Sequence, residues 1–524
     1  MKAYKAPLED ILFTMTHVAG AADLPEWDAE FAAEIGAHFA AFAEGEIAPL
    51  DEVGDRQGCR LENGRVRMPE GFGALYRAYA EQGWPGLTAP EDFGGQGLSA
   101  LMLAVVSEIF SGANQSLQMV TGLVPGAIRV LMRFGTEEQK ARHIPGLASG
   151  ELLATMCLTE PGAGSDLARV RTRAVQDGSV WKITGEKIFI SGGDQDMSEG
   201  VFHLVLARTS DEGVKGLSLF AMRDLRADGS RNAAAVTRIE EKMGLHASPT
   251  CQLVFDGAEA ELIGAEGQGL KAMFTMMNHA RSDVALQGVA HSARAHDVAS
   301  GYAAERVQGR RADGAPAVLS DHADVRRMLD EIDLRAMGGR AIAHLAFVTM
   351  ERGDDPALVE FLTPVAKYWC TEAGMKAAEL GMQVLGGYGY LQEYRLEQTY
   401  RDMRIAAIYE GANGIHARML ATRLAGGAEA DAFERFMEDE GQPDALALWR
   451  AGRALLAAGD ATVLAHDFME LTCLTLLAAL FGRMAAAAER HPEPERIARI
   501  AARGARMVAA FAPAHLARMR AEAA

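Results

Sequence analysis

The sequence predicts an α+β chain: an N-terminal α-helical domain, a middle β domain of barrel or sandwich type, a C-terminal four-helix bundle and an additional C-terminal helical segment. Three observations carry that expectation. Apolar residues recur with a helical period on both sides of the middle of the chain, as in 31–40 and 321–349. Between about 151 and 265 the pattern changes to short alternating runs such as 202–208 and 251–255, punctuated by turns like Ala227-Asp228-Gly229. The 524 residues, 49% of them apolar, are too many for one core and enough for several.

In chain order, residues 1–25 form an N-terminal extension. Residues 26–153 alternate helical patterns with polar faces and contain a loop at 88–99. The β domain, 154–265, follows an apolar run (Leu152, Leu153, Ala154, Met156, Cys157, Leu158) that reads as a short strand. A second strand is expected where Trp181 and Ile183 alternate with polar neighbours. Residues 266–425 are expected to hold four or five long helices. The acidic, turn-rich stretch 426–443 reads as a linker, and 444–524 as Ala-rich amphipathic helices.

The net charge of −19 argues against nucleic acid or an anionic membrane as the main partner. Five scattered cysteines with no CxxC spacing read as reduced thiols of a cytoplasmic protein without a structural metal site. The best apolar run, 471–482, is too short to span a bilayer.

Chemistry concentrates in two places. Glu410 lies between an apolar lead-in (Ile405, Ala406, Ala407, Ile408) and a Gly-rich continuation (Gly411, Gly414). Desolvation raises a carboxylate's pKa, which poises it as a proton acceptor near neutral pH. A lone Glu at a helix start is, by itself, more often a cap or dipole partner. Far upstream, Thr159-Glu160-Pro161-Gly162-Ala163-Gly164-Ser165-Asp166 makes a tight turn whose backbone amides can approach a ligand closely. Such a turn alone names no cofactor.

Together these segments resemble the acyl-CoA dehydrogenase family, from about residue 25 to 425. The same order holds for Trp84-Pro85-Gly86-Leu87, Phe134-Gly135-Thr136-Glu137, Ile188-Phe189-Ile190-Ser191-Gly192-Gly193, Gly386-Gly387-Tyr388-Gly389-Tyr390 and Tyr400-Arg401-Asp402. The resemblance implies FAD-dependent α,β-dehydrogenation of an acyl-CoA thioester, with Glu410 as the base and electrons passing to an electron-transfer flavoprotein. A second base position known in some relatives corresponds to Ala280, which cannot serve.

The resemblance further implies FAD contacts from Met156, Leu158, Thr159, Gly164, Ser165, Phe189 and Ser191. Arg306, Gln308, Gln383, Gly386 and Gly387 are expected to reach a neighbouring subunit's FAD, so a homodimer or homotetramer follows. Ala412 and Gly414 replace residues common in the family, and their FAD contacts are expected to be through backbone. Ser165, Lys242, Asn278, Arg281, Tyr409 and Gly411 are the implied substrate contacts. The opening Tyr4-Lys5-Ala6-Pro7-Leu8-Glu9-Asp10 and the stretch Lys242-Met243-Gly244-Leu245-His246 resemble a long branch of the family that includes 3-methylmercaptopropionyl-CoA dehydrogenase. An acyl-CoA oxidase on the same fold and a flavin-binding scaffold without turnover are the competing readings.

Overall fold

The computed structural model describes residues 3–523. The chain divides into two units: one comprises 45–99 and 114–280, the other the chain up to Glu44, 100–113, and everything from Arg281 on. One of the divisions falls within the Ala100–Thr121 helix at Asn114, whose φ of −161° and ψ of 92° break the helical path. The Asn114 side chain accepts from the Leu117 amide and so caps the second half.

The β-containing unit holds a small hairpin, β1 (Arg60–Glu62) with β2 (Arg65–Arg67), and one seven-stranded sheet. That sheet comprises β3 (Leu152–Cys157), β4 (Arg173–Asp177), β5 (Val180–Ser191), β6 (Gly200–Arg208), β7 (Leu217–Arg223), β8 (Ala234–Ile239) and β9 (Thr250–Ile263). The order is β3-β6-β4-β5-β9-β7, β8 pairs β9, and an extra β6–β7 pairing joins the path back on itself as in a barrel. β6 is buried along its whole length and β7 along all but its last residue, which explains their nearly continuous apolar sequences. In β5 the register shifts between Lys187 and Ile190, a bulge that re-aims Phe189.

In the helical unit, Ala323–Arg352 and Pro356–Leu385 lie against one another, and Leu396–Met403 and Asn413–Met419 follow as short helices. The helix Gly269–Glu305 runs into this unit from residue 281. Three long helices thus stand where four or five were expected between 266 and 425. The exposed hairpin β10 (Val307–Arg310) with β11 (Pro316–Val318) interrupts the run.

Five further expectations need correction. Within 426–443, expected as a linker, Ala428–Asp439 is a helix. It buries Ala430, Phe433 and Met437, and the Phe433 ring stacks on Phe361 at 4.6 Å with Trp449 5.1 Å away. Burying such aromatics is worth roughly 1.5–3 kcal/mol each, enough to hold an acidic helix onto the core.

The additional helices Pro443–Ala458, Ala461–Ala487 and Pro494–Ala523 share a single apolar cluster with Ala323–Arg352 and Pro356–Leu385, so 444–524 forms no separate unit. Ala461–Arg490 is long and apolar enough to cross a membrane, contrary to the short run read from sequence, yet 67% of its apolar stretch is buried inside this unit as a core helix.

The N-terminal 1–25, expected as an extension, sends Phe13, Met15 and Val18 into that same cluster. Asp10 pairs with Arg496 at 2.9 Å and with His491 at 3.0 Å. The expected helical domain 26–153 is likewise divided, because Ala100, Leu101 and Ala104 pack into the helical unit's core.

Candidate active site

In the helical unit, a short 3₁₀ turn (Arg404–Ala407) leads into Glu410 and Gly411, both left-handed with φ of 53° and 95°. Left-handed backbone costs about 1–2 kcal/mol for a residue bearing a Cβ, so something must hold Glu410 there. A Cβ at Gly411 would meet His416 Nε2 at 2.7 Å, which only glycine avoids.

The helix that follows starts at Asn413 with Ala412 as its N-cap and no side-chain cap, so Glu410 is not a capping residue. Instead, three donors pin the turn's carbonyls. Arg281 Nε (3.2 Å) and His416 Nε2 (3.1 Å) donate to the Glu410 carbonyl, and Lys367 Nζ donates to that of Gly411 at 2.8 Å. The Glu410 carboxylate itself makes no hydrogen bond among the described residues. Burial pushes it up to about 7, against the opposing charges of Arg281 and Lys367. It can accept a proton near neutrality. Burial likewise brings Lys367 down to about 7 and His416 to about 3, so His416 is neutral.

In the β-containing unit, the strand and turn segments expected to act together do meet. Ile188 donates its amide to the Thr159 carbonyl at 2.9 Å. Lys187, fully buried, donates to the Leu158 carbonyl at 2.9 Å and to Glu160 Oε1 at 2.8 Å. The Glu160 carboxylate also accepts from the amides of Arg171 and Thr172. Burial pushes Glu160 up, but Lys187 and these amides hold it below its ordinary value.

On this brace sits a surface suited to a flat polar group. Phe189 is 60% exposed on left-handed backbone with a φ of 59°, an aromatic face presented at a cost in strain. Gly164 and Ser165 are exposed, and a Cβ at Gly162 or Gly164 would meet nothing within 4 Å. Thr159 and Ser191 are partly buried at either end of the paired segments, whereas Leu158 is buried; Met156 lies on β3.

The remaining sequence candidates fall in three groups. Arg306, at the end of its long helix, lies 5.8 Å over the Tyr388 ring, so it and the Gly386–Tyr390 turn converge. Arg306, Gln308, Gln383, Gly386 and Gly387 are all exposed. Ala412 and Gly414 flank the start of the helix after the base turn, and Tyr409 donates its hydroxyl to Gln287. Asn278 is exposed in the β-containing unit, where Lys242 donates to the Ser248 carbonyl at 2.8 Å and braces the left-handed Leu245.

The chain matches the acyl-CoA dehydrogenase N-terminal domain over 30–151, the middle domain over 155–258 and the C-terminal domain over 267–425. The chain belongs to the acyl-CoA dehydrogenase family. It is thus an oxidoreductase of a flavin-dependent family that dehydrogenates acyl-CoA thioesters.

It is 40% identical to the 3-methylmercaptopropionyl-CoA dehydrogenase of Ruegeria pomeroyi over 80% of this chain and 76% of that protein. It is 34% identical to the broad-specificity linear acyl-CoA dehydrogenase FadE5 of Mycobacterium tuberculosis, over 80% and 74%. Its fold overlaps an acyl-CoA dehydrogenase of Bacillus anthracis solved with FAD, at a TM-score of 0.78, 21% identity and coverage of 94% and 88%. An exposed aromatic on strained backbone and glycines with open space around them are chemistry that fits the ring and phosphates of the family's FAD.

Lys367, His416, Glu160 and Lys187 were not singled out from sequence. Glu160 stands inside the 159–166 turn and Lys187 immediately before the Ile188–Gly193 segment, next to the apolar Ile188-Phe189-Ile190. Lys367 stands in the otherwise apolar or neutral 361–371 stretch, and a lysine beside apolar residues was the signal available for both.

Proposed function

We propose that the protein converts an acyl-CoA thioester to its trans-2-enoyl-CoA, with Glu410 taking the α-proton. What supports this reading most is the Glu410 carboxylate itself, which is unpaired and pushed up to about 7 on a turn whose Glu410 and Gly411 carbonyls are both engaged. The Cα–H bond gives its proton to the carboxylate, the electron pair forms the double bond, and the β-hydrogen leaves with two electrons. Bound FAD supplies the acceptor for that hydride. Arg281 and Lys367 keep the carboxylate ionised in a fraction of molecules large enough to react at neutral pH. The Gly411 and Glu410 amides, on left-handed backbone, are the donors available to developing charge on a thioester oxygen.

Met156, Leu158, Thr159, Gly164, Ser165, Phe189 and Ser191 would hold FAD, and Ser165, Asn278, Arg281, Tyr409 and Gly411 the CoA thioester. Lys242 belongs to this set with less support, since its ammonium is engaged at Ser248. The exposed pairing of Arg306 with the Tyr388 turn supports a homo-oligomer of at least two subunits in which these residues reach a partner's FAD. Similarity to the Ruegeria pomeroyi enzyme supports 3-methylmercaptopropionyl-CoA as one substrate. The five free cysteines support a reducing, cytoplasmic location, and an electron-transfer flavoprotein is the acceptor the family reading implies.

Anaerobic titration of Glu410→Gln with acyl-CoA tests the base. The variant should bind FAD and shift its spectrum on adding ligand, yet lose flavin reduction by about 10²–10⁴-fold or more. Reduction at the wild-type rate would overturn the assignment. Stoichiometric peroxide release by the wild type in air would place the chain with the oxidases.

A further inference from the structure

Lys367 lies in the middle of the Pro356–Leu385 helix and is 0% exposed. A buried ammonium normally finds a carboxylate. Lys367 instead donates to two neutral oxygens, the Gly411 carbonyl and Asn413 Oδ1, both at 2.8 Å. Asn413 is anchored in turn on the same helix, donating to Thr371 Oγ1 at 3.0 Å and Glu372 Oε1 at 2.7 Å. The result is a clamp with Lys367 at one end and Glu372 at the other, closed across the residue pair that follows Glu410.

We propose that Lys367 is a positioning residue for the base, its ammonium fixing the strained Glu410–Gly411 turn through the Gly411 carbonyl and Asn413 while its charge faces the carboxylate. Two consecutive left-handed residues relax unless their carbonyls are held, and Lys367 is the charged group that holds the second of them. Charged and titratable groups facing it come from each neighbouring element: Arg281 from the Gly269–Glu305 helix, Glu410 from the turn, His416 from the Asn413–Met419 helix and Glu372 from its own helix. Glu410 and Lys367 titrate as a coupled pair, with removal of the lysine's charge favouring the protonated carboxyl.

This inference rests on Glu410 being the base, and the test separates the two. Lys367→Met keeps length and apolar bulk but removes the charge. The flavin-loaded variant is compared with wild type by anaerobic single-turnover flavin reduction from acid to alkaline pH. The expected result is a rate lower by about 10–100-fold at unchanged acyl-CoA affinity, with the acidic limb of the profile moved up by about half to one pH unit. A flavin-loaded Lys367→Met protein with the wild-type rate and profile overturns the proposal.

Should Lys367→Met fail to fold, Asn413→Ala decides: it leaves the ammonium but opens the clamp, so the rate should fall while the acidic limb stays in place. A wild-type rate there overturns the proposal equally. Glu410→Gln is run alongside. If it still reduces its flavin, the base reading falls and takes Lys367 with it. If Glu410→Gln is inert while the Lys367 and Asn413 variants match wild type, this inference alone falls.

Discussion

Glu160 and Glu410 each stand on a Gly-bearing turn with a fully buried lysine nearby, Lys187 for one and Lys367 for the other, and the two turns treat the carboxylate oppositely. Lys187 bonds Glu160 directly at 2.8 Å, and two backbone amides complete its coordination. Lys367 bonds the backbone and an amide side chain beside Glu410 and leaves the carboxylate unbonded. Burial acts on both carboxyls in the same sense. What differs is satisfaction: Glu160 is held below its ordinary value and Glu410 is pushed up to about 7. A carboxylate meant to hold structure is saturated with donors, and one meant to take a proton is desolvated and left bare, with the cations spent on its backbone.

The contrast predicts opposite responses to losing the charge. Glu160→Gln strands Lys187 in the interior, and removing one partner of a buried pair typically costs about 3–5 kcal/mol. Chemical denaturation at neutral pH should show a loss of that size together with weaker FAD retention. Because the Glu160 value is lowered on folding, its contribution is present above the ordinary carboxyl value of 4.5 and disappears as pH falls. An unchanged midpoint would mean that Glu160 and Lys187 are not the strut of this turn.

Glu410→Gln should go the other way by a smaller amount. Its value is raised on folding, so the native state is penalised for ionising it: no penalty below 4.5, the full penalty above about 7. The variant is therefore expected to be more stable than wild type by about 1–3 kcal/mol at pH 8, with the two converging near pH 4.5. Unfolding curves at several pH values read this directly. A variant less stable than wild type at pH 8 would show that the native fold favours the ionised Glu410.

Much of this was legible in the sequence, for reasons that particular residues make plain. The turn 159–166 and the strand 181–191 were visible because their signals are local: glycines where backbone turns, alternation where one face is buried. Glu410 stood out because an apolar lead-in and a glycine sit on either side of it. The helix Ala428–Asp439 was missed because acidic residues and flanking glycines outweighed the spacing of Ala430, Phe433 and Met437, which is helical in retrospect.

Partners distant in sequence were not legible at all. Glu108 and Arg340, both fully buried and bonded at 2.7 Å, are 232 residues apart, and Asp10 meets Arg496 across 486. Lys367 belongs with these, since its role depends on a turn 44 residues on. No periodicity encodes such pairings.

The central claim is that Glu410 is a bare, half-buried carboxyl, desolvated by its surroundings, that exchanges its proton near neutrality. Infrared difference spectra of the substrate-free protein, wild type minus Glu410→Gln, recorded across pH 4 to 9, observe that proton itself. The account predicts a protonated-carboxyl C=O band, missing from the variant, that disappears with a midpoint near the expected value of about 7. A band already gone by pH 5, leaving only carboxylate signal above it, would contradict the account.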